Sequence, residues 1–316
     1  MSTNLTRGTL PSEIVGAEVA YTVLTPDGWS ADDPLPLILV LHGANSSADV
    51  LAMMQPIIDG ADLPRTLVAC VSTPTAGGFY LDVWERLVAE EFPAHLTEAF
   101  GADPREISLL GSSMGGYGAL KIAFTDSARF AAVAAVSPAL LPVGAKARNT
   151  LGVLARFAAE MQATDSVPHR LRANADAVRA SGLPILLRCG DFDVFKMHDG
   201  TEQLHRELWD LDIAHDYHLV GGADHGGPEA TASLRAAFAF VGAAQRTRDG
   251  SFPSTADRAL ETAWLVWGAS GRQGDPPKLD FFGPSASTAL RLMMAGELAE
   301  AERQDQAAAR RYGQLS

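Results

Sequence analysis

The sequence predicts an α/β fold, a mostly parallel central sheet with helices on both faces. Three observations carry that expectation. Continuous apolar runs, which suit strands buried on both faces, recur at residues 35–41, 67–71, 130–136 and 183–187. Segments with helical apolar spacing lie between the later runs, as the crossovers of a parallel sheet require. A serine, two aspartates and a histidine follow three of the strand-like runs, and ligands bind at that edge of such sheets.

Composition narrows the function. The chain has 316 residues, 47% hydrophobic, enough for one large core plus an extension. Net charge is −13 with no basic cluster, which argues against a nucleic-acid partner. The two cysteines, Cys70 and Cys189, sit in apolar runs and read as small buried hydrophobes rather than a disulfide framework or metal site. Met1 to Pro11 is polar and lacks the apolar core of a signal peptide, and no stretch is long enough to span a bilayer, so the expected location is the cytoplasm.

In chain order, residues 1–14 read as an N-terminal tail. Val15 to Leu24 alternates as an early strand, and Pro26-Asp27-Gly28 is a turn. Leu35 to Leu41 reads as a central strand ending in His42-Gly43-Ala44-Asn45. A glycine-containing loop there can aim backbone N–H groups at a ligand, so Gly43 and Ala44 are candidate oxyanion donors. Thr66 to Thr73 is a strand whose following loop carries Tyr80; Tyr80 and His42 are candidates for the substrate pocket, and His42 also for bracing its loop. Val83 to Phe100 has helical spacing, with Pro93 predicting a kink or a break and Gly101 a stop. Phe130 to Val136 and Leu183 to Arg188 are strands; residues 140–182 between them read as helical pieces forming a small cap. His198 to Leu211 is a helix, His215 to Val220 a strand, and Pro228 to Val241 the closing helix.

The chemistry centres on Gly111-Ser112-Ser113-Met114-Gly115, a G-x-S-x-G between a strand and a helix. Such an elbow holds its serine at a strained position with Oγ clear of the sheet, and its neighbours must be small because strand and helix nearly collide. A serine hydroxyl needs a base near pH 7, and His225, in the glycine-rich loop after the last strand, supplies an imidazole. A carboxylate must hold its other nitrogen; Asp191 and Asp193 compete for that role. Asp224 is adjacent to His225, but adjacency in sequence does not aim a side chain. His215 and His218 lie three apart on a strand, a poor metal pair. The other helical histidines, His205 among them, read as surface groups. No metal motif, Walker lysine or dinucleotide fingerprint is present, so no metal or cofactor is expected.

Trp84-Glu85-Arg86-Leu87, Glu91-Phe92-Pro93, Gly111 to Leu120 and Phe130 to Ser137 resemble the esterase D group of α/β-hydrolases. That group includes S-formylglutathione hydrolases, feruloyl esterases and antigen 85 mycolyltransferases. The Ser-Met-Gly-Gly-Tyr-Gly-Ala-Leu run is the most specific part. The resemblance covers residues 15–245 and implies an α/β-hydrolase domain there. It implies Ser113 as nucleophile, Met114 N–H and most favourably Ala44 N–H as oxyanion donors, Asp193 as the acid through its C-G-x-x-D pattern, and His225 as base. Where many members follow that histidine with an acid and a tryptophan, this chain has Gly226-Gly227-Pro228.

The expected activity is therefore hydrolysis of a small carboxylic ester or thioester through an acyl-enzyme. An acyltransferase on the same residues, or a binding protein on the same fold, are the alternatives. Residues 250–316 lie outside the resemblance and read as a helical extension, Asp257 to Trp267 and Ser285 to Tyr312, through which a homo-oligomer could form.

Overall fold

Strand β3 (Leu35–Leu41) shows how the sheet is built. Leu37, Leu39 and Leu41 enter the core on one face, and Ile38 and Val40 enter the core on the other. Every residue of the run is apolar because both faces are covered. The computed structural model describes residues 2–74, 78–140 and 166–248, and beyond them residues 260, 263–264, 266–279 and 292–293.

Eight strands form one sheet in the order β1-β2-β4-β3-β5-β6-β7-β8. The others are β1 (Thr3–Ser12), β2 (Ala17–Pro26), β4 (Leu67–Val71), β5 (Ala102–Ser112), β6 (Phe130–Val136), β7 (Ile185–Gly190) and β8 (Asp216–Val220). β1 and β2 are antiparallel to each other, and β2 to β4. From β4 through β8 all pairings are parallel. The carboxyl ends of β3, β5, β6, β7 and β8 therefore share one edge.

Among the described residues, two helices cover one face: α1 (Val50–Asp59), through Leu51 and Ile58, and α8 (Pro228–Arg248), through Ala237, Phe238 and Val241. The other face carries α3 (Phe92–Phe100), α4 (Met114–Thr125) and α7 (Met197–Asp210). The short helices α5 (Val167–Ala173) and α6 (Ala175–Ser181) bury Val167, Leu171 and Val178 in that same core. The rest of the stretch read as a cap, 141–165, lies outside the described residues. α4 is buried along its length up to Phe124, and even Lys121 is buried, its ammonium 2.9 Å from Glu85. Glu85 belongs to α2 (Val83–Arg86).

Three elements differ from expectation. Residues 1–14 are not a tail, because β1 pairs along β2 from Thr3↔Pro26 to Ser12↔Ala17. As an edge strand it buries only Thr3, Leu10 and Ser12, so its apolar alternation is weak. Helix α1 was not signalled, since it contains Pro56 and fully buries only Leu51 and Ile58. Pro93 does not break its helix. A π-helical turn, Leu87–Glu91, precedes α3, and the Phe92 N–H donates to the Leu87 carbonyl five residues back. The wider turn absorbs the clash and lost donor that a proline imposes on a regular helix, and Pro93 falls in the first turn of α3.

The chain divides into two units, Met1–Arg246 and Thr247–Ser316. The two helices expected in the second unit fall largely outside the described residues.

Candidate active site

Ser113 stands between β5 and α4 at φ 57°, ψ −122°. This left-handed backbone is costly for a residue with a Cβ, about 1–3 kcal/mol. The turn is tied on three sides. Ser113 N–H donates to the Val136 carbonyl at 3.0 Å, and its own carbonyl accepts from Tyr117 N–H at 3.1 Å and Ala139 N–H at 2.9 Å. The small residues around it are obligatory. A Cβ on Gly111 would lie 2.2 Å from the Gly115 carbonyl oxygen, and one on Gly115 would lie 1.8 Å from the Leu41 carbonyl oxygen. Both obstacles are backbone and cannot swing away.

Strain collects along the same edge. Asn45 follows β3, Phe79, Tyr80 and Asp82 follow β4, Ser113 follows β5, Ser137 follows β6 and Lys196 follows β7, all non-glycine residues at positive φ. Such clusters persist where the surrounding structure over-determines the backbone, typically at functional sites.

Asp193 and His225 meet across the ends of β7 and β8. His225 Nδ1 is 2.7 Å from Asp193 Oδ2. Asp193 is fully buried, and its other oxygen accepts from Phe195 N–H at 2.9 Å and Met197 N–H at 3.5 Å. Burial pushes its carboxyl up, but the hydrogen bond and charge of His225, with those two N–H groups, outweigh it, and the net shift is downward. Asp193 is thus an ionised acceptor that fixes the imidazole with its proton on Nδ1. The Phe195 ring packs edge-on against His225 at 4.7 Å. Cys189 Sγ lies 3.9 Å from Asp193 Oδ2; burial pushes that thiol up to about 12, so it stays protonated as a weak donor. Asp191, the competing carboxylate, does not touch His225: its Oδ1 accepts from Gly222 N–H at 2.7 Å.

The loop after β3 lies against the serine. A Cβ on Gly43 would stand 3.6 Å from the Ser113 Cβ. His42, next to it, is expected in the pocket but is 1% exposed, and its ring is spent internally. Thr73 N–H donates to His42 Nε2 at 3.0 Å, so Nε2 carries no proton. Nδ1 therefore bears the hydrogen and donates to the Gly43 carbonyl at 2.9 Å. Burial lowers the His42 pKa, against the opposing effect of that bond to Gly43, and keeps the ring neutral. Tyr80 is likewise no pocket wall. It is 1% exposed and donates its hydroxyl to the His42 carbonyl at 2.8 Å. Local sequence does not reveal whether a loop aromatic faces the ligand or the core; here both residues support the loop from behind. Met114, the first residue of α4, is buried with its backbone at the helix N-terminus, where N–H groups lack intrahelical acceptors.

Sequence reasoning missed two features. His205 is not an isolated surface group: its Nδ1 is 2.7 Å from Nε2 of His215. Asp224 accepts from two backbone N–H groups, Val194 at 2.8 Å and the adjacent His225 at 2.6 Å. Nothing local signals the His205–His215 or Asp224–Val194 contact, because each joins segments brought together by the fold.

Residues 12–206, more than half the chain, match the Esterase family model. The matched span holds Ser113 and Asp193 and ends before His225. An S-formylglutathione hydrolase of Bos taurus is 35% identical over 79 residues, 22% of this chain and 28% of that protein. That of Rattus norvegicus is 36% identical over 89 residues, 24% and 32%. These matches span under a third of each relative's length. Among solved structures, a ferulic acid esterase superposes with a TM-score of 0.65 at 18% identity, over 77% of this chain and 99% of that one. An S-formylglutathione hydrolase from Agrobacterium tumefaciens gives 0.61 at 19%, over 78% and 99%. At such identities the structures speak to the fold, which is that of the α/β-hydrolases. The chain belongs to the Esterase family.

Proposed function

We propose that this chain hydrolyses a carboxylic ester or thioester through an acyl-enzyme on Ser113. The observation that carries the reading is the 2.7 Å bond between His225 and a buried, ionised Asp193 on the sheet edge that holds strained Ser113. With Nδ1–H committed to Asp193, His225 keeps Nε2 free to accept the Ser113 proton as Oγ attacks the carbonyl carbon. The resulting oxyanion lies against the Met114 N–H at the start of α4 and the Ala44 N–H of the loop beside Ser113. Each such donor lowers the barrier by about 3 kcal/mol. His225 then returns the proton to the leaving alcohol or thiol, and water repeats the sequence to release the acid. Relatives named S-formylglutathione hydrolase and ferulic acid esterase support small acyl esters and thioesters as the substrate class.

The test is a p-nitrophenyl ester series, acetate to decanoate, on wild type and Ser113→Ala. A pre-steady-state burst that disappears in the variant, at unchanged thermal stability, supports the reading. Equal turnover by Ser113→Ala overturns it.

A further inference from the structure

Asp193 and His225 sit on different loops, and apart from buried Ala223 and the His225–Phe195 ring contact the second loop is glycine-rich and exposed. A Cβ on Gly221, Gly222 or Gly226 would meet nothing within 4 Å. A loop of this kind takes its position from backbone bonds, which water competes for.

Two carboxylates make those bonds, in opposite directions. Asp191, on the loop of Asp193, accepts from Gly222 N–H of the histidine loop at 2.7 Å. Asp224, on the histidine loop, accepts from Val194 N–H of the aspartate loop at 2.8 Å. The same Oδ1 of Asp224 accepts from His225 N–H at 2.6 Å. One oxygen thus joins the backbone of the residue after Asp193 to the backbone of His225 itself. Phe192 N–H to the Ala223 carbonyl, 3.0 Å, closes the space between the two clasps. Gly190 leaves room for that approach, since a Cβ there would stand 2.2 Å from the Ala223 oxygen. Carboxylate side chains suit these exposed positions because each oxygen can accept more than one N–H bond, as Asp224 Oδ1 does.

We propose that Asp224, with Asp191 as its counterpart, is a positioning residue: the two reciprocal clasps fix the Asp193–His225 bond in register for proton transfer. The inference rests on the hydrolase reading above. Asp224 touches neither substrate nor the reacting atoms and acts only through the two loop backbones.

The experiment measures the rate constant and stoichiometry of fluorophosphonate labelling, with kcat and KM on p-nitrophenyl acetate, for wild type, D224A, D224N, D191A and D191A/D224A. Misplacing a catalytic group by about 1 Å costs on the order of 100-fold. D224A is expected to lose about 10- to 100-fold in kcat and labelling rate, with KM and the labelled fraction near wild type. D224N recovers most of that loss, because its amide oxygen accepts the same two bonds. D191A loses less, and the double variant loses more than the product of the single effects, since each single variant keeps one clasp. If D224A does not fold, the D191A and D224N rates carry the test. Labelling of D224A within twofold of wild type, or D224N as slow as D224A, overturns the inference while leaving the hydrolase reading intact. A wild type that the probe does not label at Ser113 overturns both.

Discussion

The Tyr80 hydroxyl donates to the His42 carbonyl at 2.8 Å, and so links the loop after β4 to the loop that lies against Ser113. His42 in turn donates from Nδ1 to the Gly43 carbonyl. In a trans peptide the carbonyl and the next N–H point in opposite directions. Drawing the Gly43 oxygen toward His42 therefore turns the Ala44 N–H away from the His42 ring, and we propose that this N–H is the second oxyanion donor. Tyr80→Phe removes one bond and leaves a buried carbonyl short of its partner, a loss of about 1–3 kcal/mol. The expected result is a lower unfolding midpoint together with a several-fold drop in kcat at similar KM, read by thermal melts and steady-state kinetics.

His42 also sets a pH limit on the fold. Burial holds its pKa below the ordinary histidine value near 6.5. The unfolded chain then binds more protons than the folded one between that value and the folded pKa, so stability is full above about pH 6.5 and falls as pH drops through that window. Protonation of Nε2 would also set two donors face to face with Thr73 N–H. Thermal melts from pH 8 to 5 should show this slope, and His42→Gln should flatten it. Asp193, shifted downward, acts in a separate window: its contribution is present above the ordinary carboxylate range near 4 and is lost below it as the folded pKa is passed.

The two competing aspartates separate by kinetics. Asp193→Asn keeps the shape but loses the ionised acceptor that fixes the His225 tautomer, and kcat should fall by roughly 10⁴-fold. Asp191→Ala removes only a clasp to Gly222 and should retain at least a hundredfold more activity than Asp193→Asn. Steady-state rates on one p-nitrophenyl ester check both; the reverse ranking would make Asp191 the acid.

The residues readable from sequence are those whose role is local. Leu35–Leu41 and Phe130–Val136 announce buried strands by unbroken apolar runs, and the Gly111-x-Ser113-x-Gly115 spacing announces the elbow because steric collision there admits only glycine. What sequence leaves open depends on long-range placement. The residues alone do not rank Asp193 above Asp191, since the ranking depends on which carboxylate reaches a histidine 32 positions away. Tyr80 and His42 look like pocket residues because their loops leave the right edge, yet their polar atoms turn inward. Asp224 gives no local sign of its task, because its partner Val194 is 30 residues distant.

The most direct measurement is peptide mass mapping of the protein quenched during the burst with p-nitrophenyl acetate. The mechanism predicts one acetyl group per chain, on Ser113, absent from Ser113→Ala and persistent in Asp193→Asn only if acylation still occurs at its slowed rate. An acetyl group on any other residue, or steady turnover by Ser113→Ala, would contradict it.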